Sequence, residues 1–126
     1  MPYQLHLENE GVYCVFTEAF TDEDLSTLRN SMFSLMDIYT TKYQLHTFND
    51  IKSFPVSSNG IRRIAEQDAK FFEINPNIKI AVVANYKIMK GLTNMYRVYF
   101  ELSSNDLSWP TEFFESEEKA REWLNT

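Results

Sequence analysis

The chain has 126 residues, 44% of them hydrophobic and 15% aromatic, which fits one packed domain and excludes a disordered chain. Its single cysteine, Cys14, excludes an intrachain disulfide framework and a CxxC zinc site, and the net charge of −6 argues against general nucleic-acid binding. The opening MPYQLHLENE has no basic segment followed by an apolar stretch, and no apolar run is long enough to span a bilayer, so a cytoplasmic protein without a membrane span is expected.

Two short alternating runs, YQLHLEN and VYCVFTE, flank Glu10-Gly11 and predict a β-hairpin. Cys14 lies inside the second run, where a buried, inert thiol is expected. Thr21, followed three residues later by Asp24, has capping-box spacing and opens a helix on which Leu25, Leu28, Met32, Leu35, Met36 and Tyr39 recur at helical intervals. KYQLHTFND is the next strand. A second helix follows, with Ile61, Ile64, Ala65, Asp68 and Phe72 on one face, and Asn75-Pro76-Asn77 ends it. IKIAVVAN is nearly all apolar, as in a central parallel strand covered on both sides. YKIMKGLTNMYRVYFEL forms a third helix weakened by Gly91, and a polar loop, SSNDLSWP, leads to the strand TEFFES. Ser116 caps a last helix whose buried positions are Ala120, Trp123 and Leu124.

The order β-β-α-β-α-β-α-β-α predicts a single α/β domain over residues 1–126: a mostly parallel sheet with a leading hairpin and about four helices. Ligands of such sheets sit beyond the carboxyl ends of the parallel strands. That rule nominates Asn49, Asp50, Ser53, Ser57 and Ser58 after one strand and Asn85, Tyr86 and Lys87 after the next.

FTDEDL at the first helix, IKIAVVAN as a central strand and EFFESEEKAREWL at the end together resemble the SpoIIAA-like (STAS) superfamily, in its small stand-alone bacterial branch. The resemblance spans nearly the whole chain and implies that fold. In the anti-sigma-factor antagonists of the superfamily, a serine at the start of the second helix is phosphorylated by a partner kinase, which blocks binding to that partner. In Asp50-Ile51-Lys52-Ser53-Phe54-Pro55-Val56-Ser57-Ser58-Asn59-Gly60, Ser57 falls on the phosphoacceptor position. Val56 stands where the antagonists have an acid, and Asn59 adds a residue before the glycine. A helix N-terminus suits a phosphate, but its free N–H groups equally make Ser57 or Ser58 an ordinary N-cap, and the cap is the preferred reading.

A catalytic reading finds little support. His6 and His46 lie in strand patterns at no metal-ligand spacing, and there is no GxGxxG, P-loop or GxSxG. The expectation is a non-enzymatic domain without metal or cofactor. Residues 51–100 hold eight bases against three acids, while both flanking segments are acidic. Arg62 and Arg63 in IRRIAEQDAK therefore nominate a surface for an acidic protein partner. The alternative is a small-molecule or lipid-binding domain. The segment running from Tyr86 through Met89, Leu92, Met95, Tyr96, Tyr99 and Phe100 to Trp109 carries more apolar surface than one helix face buries. It would line a pocket for a small apolar or acidic ligand, with Lys87, Lys90 or Arg97 holding an acidic head, or form a homodimer seam.

Overall fold

The structure, a computed structural model, describes residues 3–17, 21–35, 37–48, 56–84 and 87–126, without the side chains of residues 87–90. Alternating sequence gives the strands β1 (Tyr3–Leu7) and β2 (Gly11–Phe16), paired antiparallel with Leu5 opposite Cys14. Three further strands, β3 (Tyr43–Thr47), β4 (Lys79–Val83) and β5 (Thr111–Phe114), add in chain order, each parallel to the one before. Between and after them run α1 (Asp22–Leu35), α2 (Ser58–Ile74), α3 (Lys87–Ser103) and α4 (Glu117–Leu124).

The monotonic strand order decides where the helices lie. Crossovers between parallel strands are right-handed, so successive connections advancing in one direction put their helices on one face. Accordingly α1, α2 and α3 pack on the face bearing Val12, Cys14, Phe16, Ile80 and Val82. The short α4 covers the opposite face, where Ala120 meets Leu45, Ala81 and Val83. The strands alternate between these two cores, and a one-residue slip would exchange them.

Local signals in the chain are realised in detail. Thr21 and Asp24 form the reciprocal capping box, with Asp24 N–H donating to Thr21 Oγ1 at 3.2 Å and Thr21 N–H to Asp24 Oδ2 at 3.0 Å. Ser116 Oγ accepts from Lys119 N–H at 3.3 Å and caps α4. Gly11 lies so close to β3 that a Cβ there would stand 2.5 Å from the Tyr43 carbonyl oxygen. Asn75 ends α2 and also ties it to the loop between α1 and β3, its amide donating to the carbonyls of Ile38 and Thr41 at 2.8 and 2.9 Å.

The first helix stops earlier than its apolar spacing predicts. It ends at Leu35, which is exposed, and Tyr39 stands in the following turn with 76% of its surface accessible. Met36 lies outside the described residues. Trp123 and Leu124 are half-buried instead of buried, because an eight-residue helix covers only part of the sheet beneath it. Among the described residues, no helix is long and apolar enough to cross a membrane.

Candidate functional site

The N-terminal turns of α1 and α2 lie over the carboxyl ends of β2 and β3, and a cavity of about 80 Å³, partly open to solvent, lies between these helices and the sheet. Its walls are Leu25, Leu28 and Arg29 from α1, Ile61 and Ile64 from α2, and Leu92, Thr93 and Tyr96 from α3. The sheet contributes Phe16, His46, Phe48, Ile80, Val82 and Thr111. A buried water needs roughly 10–15 Å³ of such space, so the volume holds several waters or a small organic body. Most of the wall is aliphatic or aromatic, the usual lining of a small-molecule site.

The polar side chains of the wall include Arg29, His46 and Tyr96, and Gln44 and Asp68 stand behind them, outside the lining. Arg29 sits on the buried stripe of α1 between Leu25 and Met32, and Asp68 occupies the equivalent stripe of α2 beyond Ile61, Ile64 and Ala65. Both are buried, and Arg29 Nη2 stands 3.3 Å from Asp68 Oδ2. The Tyr96 hydroxyl donates to the same carboxylate oxygen at 2.5 Å, and the guanidinium lies 5.9 Å from the Tyr96 ring centroid. From the sheet, Gln44 Oε1 accepts from Arg29 Nη1 at 3.3 Å and lies 3.1 Å from His46 Nε2. An oxygen that already accepts from Arg29 makes Nε2 the protonated nitrogen of the imidazole.

Burial governs the protonation of this cluster. It pushes the Asp68 carboxyl above its usual range, while Arg29 and the Tyr96 hydroxyl pull the other way. Burial also works against the Arg29 charge, but the facing carboxylate helps to outweigh it, so the guanidinium stays charged and the two form an ion pair. His46, buried beside that positive charge, has its pKa pushed down to about 3 and is neutral. Cys14 goes the opposite way, to about 12, mainly by burial, and is an inert thiol at neutral pH. Three atoms of the cluster have no hydrogen-bond partner: Arg29 Nε, Gln44 Nε2 and Asp68 Oδ1. Each such buried group costs roughly 1–3 kcal/mol.

The serine nominated as phosphoacceptor stands at the same end of the fold. Ser57 is the N-cap of α2, its Oγ accepting from Gly60 N–H at 3.0 Å. That hydroxyl also donates to Asp22 Oδ2 at 2.6 Å, while Ser57 N–H donates to Asp22 Oδ1 at 2.8 Å. The two bonds hold the Asp22 carboxyl below its usual range. They also account for Gly60, where a Cβ would come within 2.4 Å of Asp22 Oδ1. Ser58 begins the helix and is exposed.

The other nominated residues disperse. Arg62 and Arg63 are exposed on α2, with Arg62 Nε 3.8 Å from Glu66 on the same helix. Asn49, Asp50, Ser53, Asn85 and Tyr86 lie outside the described residues, and Lys87 opens α3. Among the described residues, the basic side chains of the middle of the chain do not gather into one patch. Lys79 points to the α4 side, where its Nζ donates to the Trp123 carbonyl at 3.2 Å and lies 5.0 Å from the Trp123 ring centroid. Arg97 is exposed and bonded to Asn94, and Arg29 is the basic side chain of the cavity wall. From the aromatic segment, Leu92 and Tyr96 line the cavity, whereas Phe100 and Trp109 are fully buried around Phe72. Val98 and Leu102 form the exposed side of α3. His6 is exposed and packs beside Tyr13. Among the described residues, no group of three or more His, Cys, Asp or Glu side chains is placed to hold a metal ion.

Sequence reasoning placed Asp68 on the buried face but missed its ion-pair partner Arg29 and the Gln44 that accepts from Arg29. The available signals were an arginine inside the Leu25–Met32 stripe and a Gln44/His46 alternation on a strand covered on both faces.

No protein-family model matches the chain, and no curated protein is similar to it. Among solved structures, it is similar to an uncharacterised DUF3478-family protein with a SpoIIAA-like fold from Shewanella loihica PV-4. The match has a TM-score of 0.57 and 13% identity, and it covers 97% of this chain and 91% of the other. The chain therefore has a SpoIIAA-like fold, with an antiparallel hairpin leading into a parallel sheet.

Proposed function

We propose that the protein is a non-catalytic binding domain whose site is the cavity beneath α1, α2 and α3, and that it takes a small organic ligand. The observation that carries this reading is a cavity of about 80 Å³ with mostly apolar walls, in which Arg29, His46 and Tyr96 are among the polar lining residues. The polar groups there are neutral or paired, and none is arranged as a nucleophile beside a base. Paired mass spectra of protein purified from its own source, one native and one denatured, test the reading. The expected result is a small-molecule mass present only in the native spectrum and lost in Leu92→Trp, which fills the cavity. A bare chain mass in the native spectrum, or a bound mass that persists in Leu92→Trp, would overturn it.

A second reading, a protein-interaction module of the anti-sigma-factor-antagonist type, is favoured by the exposure of Ser57, Ser58, Arg62 and Arg63 at one end of α2. Asp22 weighs against a phosphoswitch at Ser57, because a phosphate there would face a carboxylate and remove the hydroxyl proton that Ser57 donates to it. A phosphate-sized addition that survives denaturation and maps to Ser57 or Ser58 would support the second reading. So would loss of a salt-sensitive complex on changing Arg62 and Arg63 to Glu.

A further inference from the structure

The cavity offers a ligand apolar surface and no unmatched charge. Leu25, Ile61, Val82 and Leu92 supply aliphatic carbon, and Phe16 and Phe48 supply rings stacked at 4.1 Å. The polar side chains of the wall are largely committed to other partners. Arg29 uses Nη1 on Gln44 and Nη2 on Asp68, and its Nε is sealed from the cavity. The Tyr96 hydroxyl is bonded to Asp68, His46 Nε2 to Gln44, and the Thr111 hydroxyl to the Trp109 carbonyl. The remaining polar groups, the Thr93 hydroxyl and the second ring nitrogen of His46, carry no charge. A charged ligand would therefore lose its hydration without gaining a counter-ion, because the Arg29 charge already faces Asp68 at 3.3 Å. An uncharged polar head would give up water for few partners.

The volume sets the size. An apolar cavity of about 150 Å³ takes benzene, so about 80 Å³ encloses roughly four carbon atoms, and the open side leaves room for the rest of a longer molecule. We infer that the site takes an uncharged, apolar group of that size, held by burial against Leu25, Ile61, Val82 and Leu92, with no polar head anchored inside. A small hydrocarbon-like molecule and the end of a longer alkyl chain share that chemistry. The inference rests on the cavity being the binding site, and it narrows that reading to ligands whose buried part is apolar.

The test is a matched series, 2-methylbutane, 2-methylpropan-1-ol, 2-methylpropylammonium and 2-methylpropanoate, titrated into the folded protein and followed by the methyl resonances of Leu25, Ile61, Val82 and Leu92. The expected result is saturable shifts with 2-methylbutane, binding about tenfold weaker for the alcohol, and no binding of either ion. The alcohol or an ion binding as tightly as the hydrocarbon would overturn the apolar class while leaving the cavity as a site. Silence of the cavity methyls with all four compounds would overturn both. A fifth compound, 8-methylnonanoate, carries the same branched end on a long charged chain and separates the two sources of such a group. Shifts of the same methyls would assign the site to the tail of a larger amphiphile. Shifts with 2-methylbutane alone would assign it to a free hydrocarbon-like molecule.

Discussion

On the α4 face, the charged side chains stand at the rim and are paired, and one buried polar atom, Thr47 Oγ1, has no hydrogen-bond partner. Arg121 donates to both Glu8 carboxylate oxygens at 3.0 and 2.9 Å and to Glu117 at 2.8 Å, while the Tyr13 hydroxyl donates to Glu117 at 2.7 Å. Tyr43 donates a further short bond to Glu8, and burial followed by that carboxylate raises its pKa to about 12. On the face covered by α1, α2 and α3, charged and polar groups are sealed inside, several of their atoms are unpartnered, and a cavity adjoins them. The first arrangement is what an α/β domain needs to fasten a small helix. The second is a cost that fold stability alone does not call for, and such local costs collect where a protein binds something.

Breaking the buried pair should give the largest effect. Asp68→Leu or Arg29→Met alone is expected to cost about 3–5 kcal/mol in urea unfolding, because each leaves a buried charge without its partner. Combining both with Tyr96→Phe should recover most of that loss. A combined variant as unstable as the single ones would mean that the cluster holds the fold together and that the contrast between the faces is misdrawn.

Acid should act next, and also on the cavity face. The folded-state pKa of His46 is about 3, below its unfolded value near 6.5, so the unfolded chain binds the proton first. The stability contributed by neutral His46 is complete above pH 6.5 and falls by about 1.4 kcal/mol per pH unit as pH drops toward 3. Unfolding curves of wild type and His46→Gln should converge over that interval. Parallel pH dependences would show that His46 is not sealed. Glu8 and Glu117, on the other face, have lowered pKa values through their bonds to Arg121 and Tyr13, so their contribution is lost only in the more acidic carboxylate range.

Smaller effects mark the helix ends and the rim. Ser57→Ala removes the α2 cap and its bond to Asp22, with an expected loss of about 1 kcal/mol in unfolding free energy. Ser57→Asp, which can cap but would face Asp22, should recover less of that loss than Ser57→Thr. Arg121→Met on the α4 face should cost about 1 kcal/mol or less, since its partners are partly solvated and its stem can still pack on Tyr13. A larger loss there than at Asp68 would invert the comparison.

The element order, the hairpin, the capping box and the Ser116 cap were legible in the chain because each rests on neighbours in sequence: alternation, Thr21 with Asp24, Ser116 before an acidic turn. The strand order was not legible in the chain; once it is given, handedness places α1, α2 and α3 on one face. The cavity was legible only in part. Leu92 and Tyr96 stood out in an overloaded apolar segment, but Phe100 and Trp109 from the same segment are plain core. Arg29, Gln44, His46 and Asp68 come from three elements, and nothing local in the chain says that they meet. Asp22 was legible as a helix-start acid but not as the partner of Ser57, because the two are joined only when α1 and α2 pack side by side.

Xenon binding, followed by methyl NMR under pressure, tests the central claim most directly, because the gas enters apolar cavities without needing any particular head group. The account predicts saturable shifts at the methyls of Leu25, Leu28, Ile61, Ile64, Ile80 and Val82, with Leu45, Val83 and Leu124 on the α4 face unmoved. Silent cavity methyls, or equal shifts on the two faces of the sheet, would contradict it.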